Sequence, residues 1–333
     1  MMDTNVLLIS KSQVEDLFKN LSVTIDLVEN SFRDFDNGSV MLPDKISQIF
    51  DEKTQDRINC MPSTLLNKGV SGVKWVSVFP SNQMLGIRNV SGMVVLSSLK
   101  NGYPIAVMDG TAITDFRTAA VGATGVKYLS REDSTVIGFI GAGCQARAHL
   151  DSIKCVRPGI NKCFVSAKTN ESVDDFINQE SLKHPDITFV GCGNNHEKAV
   201  ENADIIVTAT SCQSDLLKAK WIKKGATYIH VGGWEDEYNV AKMADKIVCD
   251  SWESVKHRGQ TICRMYKEGL LKDQDIYADM NDIISGKKIG RENPEEFIYF
   301  NSVGLSFIDI SFAEYVYKNL KDKNEKTMFD FFR

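Results

Sequence analysis

The sequence predicts an α/β protein in which a doubly wound parallel sheet is inserted into a discontinuous α+β domain. Three observations predict it. From about residue 130 short β-branched runs alternate with helical stretches; a glycine-rich turn joins the first run to its helix; and the preceding third reads instead as a helix followed by a meander of strands. Strands that are apolar throughout, each followed by a crossover helix, mean a parallel sheet covered on both faces. A length of 333 residues suits two domains. The expected division is residues 128–303 for the inserted domain and 1–127 with 304–333 for the outer one.

In the outer domain, residues 11–34 place Val14, Leu17, Phe18, Leu21, Ile25, Val28 and Phe32 at helical steps, the pattern of an amphipathic helix. Strand-like runs follow at 71–79, 92–99 and 103–110, with Asn101-Gly102 turning between the last two. The inserted domain then runs TVIGFIGAG into the helix QARAHLDSIK, CFVSA into ESVDDFINQESLKH, and ITFVG into HEKAVENA, followed by DIIVTAT, TYIHVGG and KIVCD. After SVGLSFIDIS the chain closes with a helix, FAEYVYKNLKDK, which is expected to return to the outer domain.

Composition narrows the function. A hydrophobic share of 43% and a charged share of 25% allow an ordinary folded core. A formal net charge of −5 gives no basic footprint and argues against nucleic acid as a partner. No stretch approaches the roughly 18 apolar residues of a membrane span, and the start, MMDTNVLLISKSQ, lacks a signal-peptide pattern, so a cytoplasmic protein is expected. The eight cysteines show neither a C-x-x-C pair nor zinc-finger spacing, which points to buried thiols and no metal.

Gly141-Ala142-Gly143-Cys144-Gln145-Ala146 is a G-x-G-x-x-A element between the strand VIGFI and a helix. Gly141 permits the tight turn, Gly143 lets the backbone approach a pyrophosphate, and Ala146 lets helix and strand pack closely. The helix that opens at Cys144 and Gln145 presents amide donors and a partial positive charge to the phosphates. In this strand–turn–helix setting the element predicts a Rossmann-type dinucleotide site. NAD-selective domains place an acid at the end of the second strand to hold the ribose 2′-hydroxyl. Here Lys168 and Thr169 stand there, so NADP(H) is favoured, with NAD(H) as the alternative if Lys168 is merely solvated.

Four cations precede that domain: Lys45, Lys74, Arg88 and Arg117. Lys74 interrupts the apolar strand GVKWVSVF, where a lysine is costly unless it meets an anion. Arg117 opens a small-residue segment, RTAAVGATGVKYL, from which a guanidinium can fork onto a carboxylate and also reach a cofactor, with Thr118 beside it. The alternative is four surface cations.

The combination of MPS at 61–63, GVKW at 72–75, YPIAVMDG at 103–110, FRTAA at 116–120, GAGCQA at 141–146 and NSVGLSFID at 301–309 resembles the ornithine cyclodeaminase/mu-crystallin family over essentially the whole chain. The resemblance implies a homodimeric NAD(P)-dependent oxidoreductase of amino-acid metabolism, whose outer domain binds substrate and makes the dimer. It implies that Lys74 and Arg117 hold a substrate carboxylate and, more loosely, Lys45; Arg88 is a further substrate-binding candidate from its position alone. It also implies that Ser302, Val303 and Gly304 line the nicotinamide pocket, and that Thr208, Ala209 and Thr210 pass near the adenosine ribose. The stretches DRINCMPS, SGVKW, IRNVSG and YPIAVM are similar to the 2,3-diaminopropionate branch, which oxidises N-(2-amino-2-carboxyethyl)glutamate; that branch ends its second strand with an acid, which Lys168 replaces.

Ornithine cyclodeaminases carry an aspartate after the Gly-Gly of a late strand and a glutamate before the Met-Pro pair. Here Trp234 follows Gly232-Gly233 and Asn59 takes the second position. The leading expectation is hydride transfer at the Cα–N of an amino or N-substituted amino acid, or imine reduction. Lys74 is the first candidate acid/base, and Glu235 and Asp236 are the reserve unless they are solvated loop acids. Ornithine cyclodeaminase and a non-catalytic NADPH-dependent binding protein like mu-crystallin are the alternatives.

Overall fold

The computed structural model describes residues 5–51 and 53–330, so the first four residues of the start segment lie outside the described residues. The chain forms two compact units, one running up to Arg117 and resuming at Leu305, the other spanning Thr118–Gly304. The cut falls inside the helix Gly110–Leu129 rather than near residue 127. Small residues explain the difference, because they press the second half of that helix onto the inner unit. A Cβ at Gly122 would meet the His149 ring at 2.5 Å, and one at Gly125 would meet Phe300 at 2.6 Å.

The outer unit is built on a mixed sheet ordered Thr327–Asp330, Asn5–Ile9, Pro104–Asp109, Val90–Ser98, Val70–Val78, Asp56–Leu65, Val40–Met41, with Ile46–Asp51 also paired to Asp56–Leu65. Asn5–Ile9 runs parallel to Pro104–Asp109, and the other pairings are antiparallel. The helix Ser306–Leu320 lies on Asp56–Leu65, Val70–Val78 and Val90–Ser98, and Leu21–Asp36 packs on it. The stacked rings of Phe35 and Phe307, with centroids 5.0 Å apart, mark that helix contact.

Two boundaries differ from expectation. The helix expected over 11–34 is two, Lys11–Leu17 and Leu21–Asp36, because the Asn20 side chain caps the second by accepting from the Ser22 amide. The apolar spacing runs through the break since Phe18 is itself core, packed on Phe116 and Phe312. The closing helix begins at Ser306 and takes in SFIDIS.

The inner unit is a parallel sheet ordered Thr188–Gly191, Lys162–Ser166, Val136–Ile140, Ile205–Thr208, Thr227–His230, Ile298–Asn301, Lys246–Cys249, Ala278–Asp279. Strand order reverses between Val136–Ile140 and Ile205–Thr208, and ligands of such sheets bind at the carboxyl ends beside that reversal. Ile298–Asn301, absent from the sequence reading, inserts between Thr227–His230 and Lys246–Cys249. The eight cysteines are unpaired, but only Cys163, Cys192, Cys249 and Cys263 are buried. Cys144 and Cys155 are exposed, against the expectation of uniformly buried thiols, because both lie on the solvent side of the helix Cys144–Val156. Among the described residues no helix is long and apolar enough to cross a membrane.

Candidate active site

The strand Val70–Val78 alternates, with Val70, Lys74 and Val76 buried and Trp75 exposed. The face that holds Lys74 is the one the helix Ser306–Leu320 covers: a Cβ at Gly72 would meet Ile310 at 2.8 Å. Asp309, in the first turn of that helix, reaches Lys74 with Nζ–Oδ1 2.6 Å, and both side chains are fully buried. The Nε of Arg117 donates to the same oxygen at 2.9 Å. Two cations therefore share one carboxylate oxygen, and the second oxygen, Oδ2, has no hydrogen-bond partner among the described residues. Burial pushes the pKa of Lys74 down to about 8, the neighbouring Arg117 adds to the fall, and Asp309 opposes it.

Among the described residues the sum is one positive charge in excess at a buried site. A buried charge without a counter-ion is costly, so the arrangement is suited to taking up a monoanion such as an α-carboxylate. Asp309 is not among the site residues expected from the sequence. Its signal was nonetheless present, as a lone acid inside the apolar run SFIDIS.

The other two expected cations lie just before the strands Ile46–Asp51 and Val90–Ser98. Lys45 is half-buried and immediately precedes Ile46, which pairs with Cys60; Cys60 adjoins Met61, the cross-strand partner of Lys74. Arg88 is exposed and bonded to Asp115, so its charge is already answered. Asn59 is buried and accepts from Ser47 Oγ at 2.8 Å, which makes it a link between strands.

In the inner unit Gly141 has φ +110°, and a Cβ there would meet the Ala209 carbonyl at 2.6 Å. This glycine is required by the protein's own turn, and the contact sets the loop Thr208–Thr210 against the glycine turn across the strand reversal. Gly143 is different. It is the N-cap of the helix Cys144–Val156 with no side-chain cap, and a Cβ there would meet nothing within 4 Å. The helix N-terminus thus has no side-chain cap and open space beside Gly143, an arrangement that suits a bound pyrophosphate. Ala146 is fully buried, as close helix–strand packing demands. Beyond the second strand Lys168 is exposed, and Thr169 caps the next helix by accepting from the Ser172 amide. These residues fit a dinucleotide.

The two reserve acids are not loop acids. Glu235 and Asp236 are wholly buried on the short strand Trp234–Asp236, paired with Gln213–Leu217. Glu235 accepts from Thr208 Oγ1 at 2.8 Å, from the Gly232 amide at 2.8 Å and from the Thr210 amide. It is a brace between two loops rather than a free base. Asp236 accepts from Thr261 Oγ1 at 2.7 Å and from Tyr299 at 3.3 Å. Burial pushes its pKa up to about 6, with His230 at 3.8 Å opposing. Trp234 donates its indole N–H to Asp215 at 2.8 Å and stacks on Arg264, whose guanidinium lies 4.0 Å from the ring centre. No free anion for a substrate amine stands at these three positions.

Ser302 and Gly304 are buried and Val303 is half-exposed, just past the strand Ile298–Asn301. Thr118 is half-buried on the helix Gly110–Leu129. Among the described residues one His/carboxylate group, Asp151, Glu180 and His184, has its ligand atoms within 4.8 Å of one another. Lys183, 3.1 Å from Glu180, supplies the positive charge there.

Residues 3–324 match the ornithine cyclodeaminase/mu-crystallin family. The Thermococcus litoralis Delta(1)-pyrroline-2-carboxylate reductase, solved with NADH and L-proline, superposes with a TM-score of 0.91 at 32% identity, covering 97% of this chain and 99% of that one. An archaeal alanine dehydrogenase dimer with bound NAD gives a TM-score of 0.89 at 30% identity, over 98% and 100%. The N-((2S)-2-amino-2-carboxyethyl)-L-glutamate dehydrogenase of Staphylococcus aureus is 29% identical over 81% of this chain and 80% of its own length. The chain belongs to the ornithine cyclodeaminase/mu-crystallin family and is an NAD(P)-dependent oxidoreductase acting on amino or imino acids.

Proposed function

We propose that the chain interconverts an α-amino acid, or an N-substituted one, with its imine, and that the substrate side chain is uncharged or anionic rather than a terminal amine. The single observation behind this reading is the buried excess of positive charge at Lys74, Arg117 and Asp309. Arg117 and Lys74 hold the α-carboxylate and so orient the Cα–N bond, and orientation of this kind supplies much of the barrier reduction. With a pKa of about 8 Lys74 is mostly protonated at neutral pH, yet close enough to exchange a proton with the substrate nitrogen or with water. The nicotinamide, when bound, supplies or accepts the hydride. Gly141, Gly143, the amides at Cys144 and Gln145, and the loop Thr208–Thr210 hold the dinucleotide, and Ser302, Val303 and Gly304 face its nicotinamide half.

Lys168 and Thr169 favour NADP(H), with NAD(H) accepted as it is by the relatives solved with it. A homodimer is proposed through the outer sheet. Ile46, Trp75 and Met93 lie in one cross-strand row and are 60%, 39% and 49% exposed, an apolar stripe that a second copy would cover.

The test is a turnover panel with NADPH and NADH. It includes pyrroline-2-carboxylate, pyruvate with ammonia, and, in the oxidative direction, alanine, proline, N-(2-amino-2-carboxyethyl)glutamate and ornithine. Turnover of an imino or N-substituted acid, lost in Arg117→Met, is the expected result. Conversion of ornithine to proline as the fastest reaction would overturn the reading.

A further inference from the structure

The segment Ser302–Gly304 leaves the sheet at Asn301 and is shaped by two buried side chains. Asp250, fully buried at the end of the strand Lys246–Cys249, accepts with one oxygen, Oδ2, from the consecutive amides of Val303 at 2.7 Å and Gly304 at 2.8 Å. Ser302 Oγ stands at 3.4 Å from the same oxygen. Its other oxygen, Oδ1, accepts from the Ser251 amide at 2.9 Å. On the carbonyl side Gln260, also buried, donates from Nε2 to Ser302 O at 3.1 Å and to Gly232 O at 2.8 Å, while its Oε1 accepts from Asn301 Nδ2 at 2.9 Å. Gly304 has φ +80°, so the turn is tight as well as tethered.

We infer that Asp250, backed by Gln260, is a positioning residue that fixes the wall formed by Ser302, Val303 and Gly304 and thereby orders the nicotinamide half of the cofactor. This rests on the proposal that the nicotinamide lies against that segment. Two consecutive amides turned inward onto one carboxylate fix Val303, whose side chain is half-buried against the core of the inner unit and leaves an apolar edge suited to a ring. A charged acceptor holds such donors roughly twice as strongly as a neutral one. Asparagine cannot replace it: whichever way the amide is turned, its NH2 meets a backbone donor, at Val303 and Gly304 or at Ser251. Gln260 joins the same wall to Gly232, the residue that Glu235 also holds, so the two segments share one hydrogen-bonded frame.

The experiment compares calorimetric affinities for ADP-ribose and for the intact dinucleotide in the wild type, Asp250→Asn, Gln260→Met and Val303→Trp, with a thermal melt of each. ADP-ribose reports the half held by the glycine turn, and the ratio of the two affinities reports the nicotinamide half. Asp250→Asn is expected to keep ADP-ribose affinity within about twofold and to cut the dinucleotide's advantage by about tenfold. Gln260→Met should cut it by about threefold, and it decides the matter if Asp250→Asn does not fold. Val303→Trp should abolish the advantage by filling the ring's place. If Val303→Trp changes nothing, the nicotinamide lies elsewhere and the inference falls with that placement. If Val303→Trp abolishes the advantage while the folded Asp250→Asn and Gln260→Met proteins keep it, the placement stands and the positioning role is refuted.

Discussion

Replacing Asp309 by asparagine should be among the most damaging single changes in the outer unit, and more damaging than removing either cation. Asp309 accepts at 2.6 Å from Lys74 and at 2.9 Å from Arg117, with Lys74 and Asp309 fully buried. Losing one partner of a buried ion pair costs roughly 3–5 kcal/mol, because the charge left behind is desolvated and unanswered. Here two cations would be left facing each other. Lys74→Met, by contrast, leaves Arg117 and Asp309 as a balanced pair and swaps a buried ammonium for an apolar chain, a change that is often neutral. At about 2 °C per kcal/mol for a chain of this size, Asp309→Asn should lower the melting temperature by roughly 6–10 °C, and Lys74→Met by about 2 °C or less. The double variant should recover part of the loss, since it removes the second cation. Differential scanning calorimetry of the three proteins measures this directly. An Asp309→Asn protein that melts within about 2 °C of the parent, or a Lys74→Met protein that falls as far, would refute the charge count on which the carboxylate site depends.

Four further outcomes follow from the same geometry. Because burial lowers the pKa of Lys74 to about 8, kcat/KM should decline above about pH 8 as the cation is lost, and Lys74→Arg should carry that limb beyond about pH 9; a pH–rate profile with no basic limb would exclude Lys74 from the chemistry. The same shift acts on stability: the unfolded chain holds this proton more tightly than the folded one, so the penalty is full below about pH 8 and fades by about pH 10.5, and stability contributed by this residue rises through that window. Gly143→Ala should melt like the wild type yet bind dinucleotide at least about tenfold more weakly, whereas Gly141→Ala should lose stability, since its Cβ meets a carbonyl at 2.6 Å; equal melting of the two would contradict the distinction. Lys168→Asp should reduce affinity for NADPH relative to NADH by about tenfold in a fluorescence titration, as loss of one charge-assisted contact to a 2′-phosphate requires, and an unchanged ratio would remove Lys168 from cofactor choice.

What the sequence disclosed follows physical lines. The inner sheet was legible because a parallel strand buried on both faces has no polar alternation, so runs such as VIGFI and DIIVT stand out between helices. Lys74 was legible for the opposite reason, as a charge where periodicity demands an apolar residue. Asp309 carries the same signal but falls where the closing helix was expected to begin only later, and a lysine's partner 235 positions away cannot be counted from spacing. Glu235 and Asp236 misled because adjacent acids after Gly-Gly look solvated. Their burial depends on Thr208, Thr210, Thr261 and Tyr299, which only the folded chain gathers. Arg88 likewise meets Asp115 through the fold and not through the sequence pattern.

The two glycines of the dinucleotide turn answer to different masters. Gly141 is held by the carbonyl of Ala209, a constraint internal to the chain, while the space beside Gly143 is open and, on the proposed function, is taken by the cofactor. A descendant that gave up its cofactor but kept its fold would therefore remain bound to the first glycine and be released from the second. Drift at the position of Gly143, with that of Gly141 unchanged, would be the mark by which a retired enzyme of this architecture could be told from a working one.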